Sequence, residues 1–563
     1  MQTSPARKIR EFTERGWWGK TATFELFAGL VARHPDRVAL VDPPNREDIT
    51  DGSAQTLTFS QLAKRVDELA AQLYTNGIRQ GDIAVVQMPN ISDLVALYLA
   101  LAKLGAVISP VPMQYGVHEL RKIGAATQAK AYISVQRLKD AEFLQNTKQA
   151  FSGECLLAAF GSEELAGVVK LSTRDISEEQ LDACSRYANN LSISANDILT
   201  LCWTSGTTGS PKAVPRSHNH WFAQGLATGD GMQIKEGEAM LNPFPLVNMA
   251  SFGGFFFPWL QHGGKLVLHH PMDLNVYLGQ LQDEEIAYTI AAPAMLTMLL
   301  KQKEILEGLD LSRLRVIASG SAPLSPWMVK EYQENIGIDV VNVFGSNEGV
   351  ALISGRDDVA DPEKRAAYFP RFGDSRFQWA NRAAQRMQTR LVDPVSGTVI
   401  DEPGTAGELQ FAGPTIFDGY YNSPEANQEV FTEDGYFRTG DLFEIAGAGD
   451  DSHFYRFTGR CKDIIVRGGM KISPEELDTL LAGHPKLSEV AVTGYADEVL
   501  GERICAVVVP KPGETVTLED ITAYLQGEQV AVIKLPERIE VVDALPRNPL
   551  GKVVRNQLKE MLT

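Results

Sequence analysis

Between residues 273 and 344, strand-like and helix-like segments alternate with little chain to spare between them. A helix opens at Asp273, Ile286 to Ala291 reads as a strand, and Pro293 starts a second helix. A strand then begins at Arg315, Ser325-Pro326 opens a third helix, and a further strand ends at Phe344. Strands that alternate with helices in this way pair in parallel and bury both faces of the sheet under the helices. Ligands then bind at the carboxyl ends of the strands. The same rhythm runs earlier. Ser60 reads as the N-cap of a helix with the apolar stripe Leu62, Val66, Leu69 and Leu73 and Gly77 as its C-terminal glycine, and Ile83 to Met88 reads as a buried strand. A helical pattern follows to Lys103, and Val107 to Val111 is extended.

After about residue 375 the texture changes to short strands and turn signals such as Pro403-Gly404 and Asp434-Gly435, which predict a β-rich subdomain. From about residue 463 the order becomes strand, helix, two strands, helix, strand, enough for a separate α+β unit. The 563 residues correspond to three or four compact units at about 150 residues each.

Net charge is 53 − 71 = −18, which argues against a general nucleic-acid binder with a basic face. Five cysteines with no C-x-x-C pair imply reduced thiols, not a disulfide framework or zinc site. The first twenty residues are charged and lack the apolar core of a secretory signal. No apolar run reaches the roughly 18 residues of a spanning helix. The best stretch, Val95 to Val107, is broken by Lys103 and Gly105. The expectation is a cytoplasmic protein without stable membrane insertion.

The sharpest local signal is Thr204-Ser205-Gly206-Thr207-Thr208-Gly209-Ser210-Pro211-Lys212, set between two strand-like runs. Backbone N–H groups, hydroxyls and one lysine in a glycine-rich turn suit a polyphosphate. It is not a Walker A loop, which needs G-K-[ST] where this chain has Pro211-Lys212-Ala213. His218 and His220, and the adjacent His269 and His270, lack the spacing and carboxylate partners of a metal site and read as structural.

Four more segments follow in order: Asn342-Val-Phe-Gly-Ser-Asn-Glu348, Tyr436-Phe-Arg-Thr-Gly-Asp441, Gly459-Arg-Cys-Lys-Asp-Ile-Ile-Val-Arg-Gly-Gly469 and Pro549-Leu-Gly-Lys552. Together the five motifs resemble those of the adenylate-forming superfamily: acyl- and aryl-CoA synthetases, adenylation domains and luciferases. Arg15-Gly-Trp-Trp18, Pro211 to Asn219, and Asn248 resemble the aryl-acid AMP ligases of the dihydroxybenzoate type, and some alicyclic and aromatic acyl-CoA ligases look similar.

The resemblance implies an α/β fold. A large N-terminal domain (1–461) of two helix-covered sheets plus a β-barrel subdomain would precede a small mobile α+β lid (462–563), with Lys462 as hinge. It implies ATP, Mg²⁺ and CoA as cofactors, a small carboxylic acid as substrate, no nucleic acid, and a monomer or homodimer. Lys552 would bridge carboxylate and α-phosphate, and Glu348 would associate with Mg²⁺. Thr204 to Gly209 and Lys212 would hold the phosphates. Gly320, Ser321 and Ala322 would lie beside adenine, with Val343, Phe344, Gly345, Ser346 and Asn347 completing the nucleotide contacts. Asp441 and Arg460 would take the ribose. Asn248, Met249, Ser251, Phe252, Gly253 and Ser319 would line the acid pocket, and Gly468 and Gly469 would meet pantetheine.

The chemistry needs this set. A carboxylate is a poor electrophile, and its attack on the α-phosphate brings two anions together, so cations must converge there. Two positions depart from the superfamily pattern: Asn347 stands where Thr is usual, and Asn248 where many acyl-CoA synthetases carry His or an aromatic residue. The Phe-rich run after Asn248 favours an apolar acid (alicyclic, aryl or medium-chain) transferred to CoA. The alternative is a salicylate or 2,3-dihydroxybenzoate AMP ligase that loads a carrier protein.

Overall fold

Strands buried on both faces need continuous apolar sequence, and Ile83–Gln87 and Ala131–Val135 supply it: every residue of both is buried. The computed structural model describes residues 1–151, 153, 155–172, 176–204, 211–467, 470–497, 499–528, 530–548 and 552–562. The chain divides into two units. The first comprises residues 1–388 and 411–437, and the second comprises 389–410 and 438–563.

The first unit holds two large sheets. One has seven strands in the spatial order Val169–Leu171, Leu156–Phe160, Ala131–Val135, Ile83–Gln87, Val107–Pro110, Ile198–Thr204, Lys212–Ser217. All neighbours are parallel except the final antiparallel pair. The other has eight strands, with a parallel centre that includes Ala239–Asn242, Tyr288–Ile290, Val316–Gly320 and Asp339–Gly345. Antiparallel strands Thr56–Thr58 and Ala351–Ser354 close its two edges. The alternation seen in the sequence is therefore a pair of helix-covered sheets.

One helix start differs from expectation. The helix Phe59–Thr75 is capped by Thr58 and not by Ser60. Thr58 Oγ1 accepts from Gln61 N at 3.3 Å while Gln61 Oε1 accepts from Thr58 N at 2.8 Å, so two donors of the first turn are satisfied reciprocally. Asp273 does cap its helix, accepting from Val276 N at 3.1 Å.

The Phe-rich run forms one continuous helical stretch from Met249 to His262, with a wide i to i+5 turn over Phe252–Phe256. Its rings are core. Phe252 lies between Tyr98 (5.4 Å) and Trp221 (5.2 Å), Phe255 stacks on Tyr288 at 4.7 Å, and Phe257 stacks on Trp221 at 5.5 Å.

The N-terminal segment is tied to the segments around residues 220 and 416. Lys8 Nζ meets Asp418 Oδ1 at 2.6 Å and donates to Ile416 O at 3.0 Å, and Trp18 Nε1 donates to Pro414 O at 3.1 Å. Gly19 and Asn219 exchange two hydrogen bonds, of 2.9 and 3.0 Å.

The second unit contains an antiparallel sheet in which Phe437–Ile445 pairs with Phe454–Arg460. Its C-terminal part is built on a long hairpin, Leu487–Asp497 against Gly501–Pro510. The helix Pro474–Leu481 packs there, begun by Ser473, whose Oγ accepts from Glu476 N at 3.3 Å, with Pro474 at the first helical position. Ile465, Leu477, Leu481, Val492, Ile504, Ile521 and Leu525 make up its core. No helix among the described residues is long and apolar enough to cross a membrane.

Candidate adenylate-forming site

Thr204 ends the strand Ile198–Thr204 at its carboxyl edge, where open α/β sheets bind ligands. Thr204 and Lys212 face each other across the antiparallel pair. Ser205, Gly206, Thr207, Thr208 and Gly209 lie outside the described residues. Lys212 Nζ stands 5.0 Å above the ring of Tyr420.

The neighbouring sheet ends its strand Asp339–Gly345 in a tight turn, with Gly349 N donating to Ser346 O at 3.0 Å. Gly349 has φ +109°, and a Cβ there would lie 1.9 Å from Thr415 O, so only glycine fits. The turn buries Glu348 to 8% exposure. Tyr420 donates its hydroxyl to Glu348 Oε1 at 2.9 Å, and Phe417 N donates to Glu348 O at 2.9 Å. The Tyr420 phenol is pushed well up, first by burial and then by the Glu348 charge, so it remains a donor.

Arg216 lies beneath this turn, fully buried. It donates to Asn347 O at 3.1 Å and to His220 O at 3.3 Å, and sits 4.5 Å over the ring of Trp221. Burial pulls its guanidinium down to about 10, opposed by Cys202, Glu348 and Asp418. It is still a fixed cation at neutral pH.

The Asn347 side chain takes a part that the sequence did not reveal. Nδ2 donates to Trp203 O at 3.0 Å and Oδ1 accepts from Met249 N at 2.9 Å. The carboxamide thus links the strand Ile198–Thr204 to the start of the helical stretch at Met249.

Among the acid-pocket candidates, two hydroxyls are committed to backbone: Ser251 Oγ to Phe244 O at 3.0 Å, and Ser319 Oγ to Ala291 O at 2.8 Å. Asn248 differs. Its Oδ1 is buried with no hydrogen-bond partner among the described residues, and the same is true of Ser346 Oγ.

Gly320 ends the strand Val316–Gly320. Ser321 follows with φ +70°, a left-handed conformation that is unusual for serine, and Ser321 and Ala322 are exposed. Val343 and Phe344 are half-buried, with Phe344 edge-on to Phe369 at 6.1 Å.

In the second unit, Asp441 and Arg460 are cross-strand partners, with Asp441 Oδ1 3.2 Å from Arg460 Nε. Lys552 joins them electrostatically. It remains solvent-exposed although protein atoms surround it. Partial desolvation and then the Arg460 charge lower its ammonium pKa, with Asp441 opposing. Its backbone N donates to Asn548 Oδ1 at 2.9 Å. Lys462 is lowered too, by desolvation first, with Arg460 adding to the shift and Asp463, Asp441 and Glu475 opposing it. Gly468, Gly469 and Pro549 to Gly551 lie outside the described residues.

The histidines read as structural are buried. Thr23 N donates to His218 Nδ1 at 3.1 Å, Ser217 N donates to His220 Nδ1 at 3.1 Å, and His269 Nδ1 is 2.7 Å from Gln280 Oε1, while His270 Nδ1 has no hydrogen-bond partner among the described residues. Burial pushes His218, His220 and His270 down to about 4. Among the described residues, no three His, Cys, Asp or Glu gather as a metal site. Sequence reasoning missed Arg216 and Tyr420 as parts of the site. Each reaches it only through tertiary contact, and a lone Arg or Tyr carries no local signal.

Residues 27–421 match the family model described as AMP-binding enzyme, and residues 476–552 match that of the AMP-binding enzyme C-terminal domain. The chain belongs to the AMP-binding enzyme family. It is 30% identical over 559 residues to triostin synthetase I of Streptomyces triostinicus, covering 99% of this chain and 97% of that protein. It is 29% identical over 571 residues to a salicylyl-CoA synthase / salicylate adenylyltransferase of Streptomyces sp., covering 99% and 97%. The solved structure of the anthranilate CoA ligase AuaEII in complex with anthranoyl-AMP superimposes with a TM-score of 0.77 at 20% identity, over 96% of this chain and 97% of that one, which shows the shared fold. This member of the family is an adenylate-forming ligase, and the family works with ATP, Mg²⁺ and CoA.

Glu348 suits Mg²⁺ carried in on nucleotide phosphates. It is a single buried carboxylate with only Oε1 engaged by Tyr420, and Mg²⁺ characteristically takes one or two carboxylates plus phosphate oxygens.

Proposed function

We propose that this ligase adenylates an aromatic carboxylic acid bearing a hydrogen-bond donor beside its carboxyl group, then passes the acyl group to a pantetheine thiol. The observation that carries this reading is Asn248 Oδ1, buried without a partner among the described residues. Met249, the next residue, is tied to Asn347 in the Glu348 turn. A buried acceptor left unpaired costs about 1–3 kcal/mol, and a hydroxyl or amino group on the acid would satisfy it. The case for an alicyclic or medium-chain acid rested on the Phe-rich run, and Phe252, Phe255 and Phe257 pack against core aromatics. The anthranilate and salicylate ligases among its neighbours and relatives are named for acids of the proposed kind.

In the first half-reaction a carboxylate oxygen bonds to the α-phosphorus and pyrophosphate leaves. In the second the thiol sulfur attacks the acyl carbon and AMP leaves. Lys552 would offset the charge of carboxylate and α-phosphate, and Asp441 with Arg460 would hold the ribose. Thr204 to Lys212 would hold the phosphates, Gly320 to Ala322 would border adenine, and Glu348 would hold Mg²⁺, which when bound neutralises phosphate charge. Lys462 would be the hinge of a lid spanning 462–563, and Gly468-Gly469 would admit pantetheine.

The test is ATP–pyrophosphate exchange with benzoate, salicylate, 2,3-dihydroxybenzoate, cyclohexanecarboxylate and octanoate, followed by thioester formation with CoA or a holo-carrier protein. Salicylate should exceed benzoate by about tenfold or more in kcat/KM, as one hydrogen bond warrants. Preference for cyclohexanecarboxylate or octanoate overturns the reading.

A further inference from the structure

One polar side chain near the acid segment is unaccounted for. Gln224 lies on the helix His218–Gly231 and is only 4% exposed. Its Oε1 is wholly buried and has no hydrogen-bond partner among the described residues. Two other amides with a buried orphan atom are anchored at the opposite end: Gln261 Nε2 donates to Phe222 O at 2.9 Å, and Asn242 Oδ1 accepts from Phe244 N at 3.1 Å. A buried acceptor without a partner destabilises the free protein, whereas a leucine or methionine of similar size would leave none.

Its location gives the amide something to read. Gln224 lies against the wide turn Phe252–Phe256, and a Cβ added at Gly253 would lie 2.5 Å from Gln224 Cγ and 2.9 Å from Met249 Sδ. The glycine therefore exists to let Gln224 and Met249 close on the backbone there. Turns widened to i to i+5 recur at functional sites, because they displace side chains from ordinary helical register. Met249 is the residue held by Asn347. A connected path thus runs from the Glu348 turn through Asn347 and Met249 to Gly253 and Gln224.

We infer that Gln224 is a specificity-determining residue of the acid pocket, whose Oε1 accepts from a second hydroxyl or amino group on the acid, distinct from the donor facing Asn248. This rests on the proposed function and narrows its substrate class to acids with two donor substituents. An acid lacking the second donor leaves Gln224 unpaired and binds with a penalty that its donor-bearing analogue avoids.

The test uses matched pairs in pyrophosphate exchange: benzoate against 3-hydroxy-, 4-hydroxy-, 3-amino- and 4-aminobenzoate, and hexanoate against 6-hydroxyhexanoate. The wild-type protein is compared with Gln224→Leu. For at least one donor position, the ratio of kcat/KM for the donor-bearing acid over its parent should fall about 10- to 100-fold in the variant. A merely structural role lowers both members of a pair alike and leaves every ratio where it was, which overturns the inference. Gly253→Ala, which displaces the Gln224 side chain without removing it, should lower the same ratio and serves if Gln224→Leu does not fold. If only the aliphatic pair turns over, the aromatic reading fails while the ratio still tests Gln224. If aromatic pairs turn over with unaltered ratios, Gln224 fails and the aromatic reading stands.

Discussion

Replacing Tyr420 with phenylalanine isolates one hydrogen bond at the Glu348 turn. The ring packs edge-on against Phe417 at 4.9 Å and lies under Lys212 Nζ at 5.0 Å, and phenylalanine keeps both contacts. What disappears is the 2.9 Å donor to Glu348 Oε1. Both residues are 8% exposed, so water has little room to replace it. A hydrogen bond to a charged group is worth about 1.5–3 kcal/mol, or about 10- to 150-fold in an equilibrium or rate constant. If Tyr420 holds the carboxylate where Mg²⁺ needs it, kcat/KM for MgATP in pyrophosphate exchange falls by that factor and half-saturation by Mg²⁺ moves upward. Because the phenol is pushed above its ordinary value, the deficit should not vary between about pH 6 and 9. A Tyr420→Phe enzyme that stays within about twofold of wild type at limiting and saturating Mg²⁺ refutes the reasoning.

Two further outcomes are expected. His218, His220 and His270 are buried and titrate near 4 in the fold against 6.5 when exposed, so between these values the unfolded chain binds more protons. The stability each contributes, about 3 kcal/mol, is complete above pH 6.5 and lost as pH falls through 4. All seven tryptophans lie in the first unit, so the midpoint of urea unfolding followed by their fluorescence should drop from pH 7 to pH 5, and a flat profile contradicts the assignment. Lys552→Ala should slow adenylation about 10²- to 10³-fold while sparing thioester formation from supplied acyl-AMP. Equal loss in both half-reactions argues against Lys552 serving the first alone.

The two helix-covered sheets were legible because their determinants are local. Buried parallel strands such as Ile83–Gln87 need unbroken apolar runs, and caps such as Asp273 and Ser473 sit within four residues of the N–H groups they satisfy. The local placement of some motif residues follows from the same rules, since Thr204 and Lys212 fall at strand ends and Glu348 in a turn. Only tertiary structure decided what those residues touch. Tyr420 reaches Glu348 across 72 positions and Asn347 reaches Trp203 across 144, and no periodicity encodes contacts of that separation. The sequence reads Phe252, Phe255 and Phe257 as apolar but cannot say whether an apolar ring faces a ligand or another ring. The stacking on Trp221 and Tyr288 places them in the core, and two amide oxygens, Asn248 Oδ1 and Gln224 Oε1, are buried without partners among the described residues. Hydrophobic burial is non-directional and can be read from composition and period, whereas a hydrogen bond depends on where a particular donor and acceptor come to rest, which only the folded chain defines.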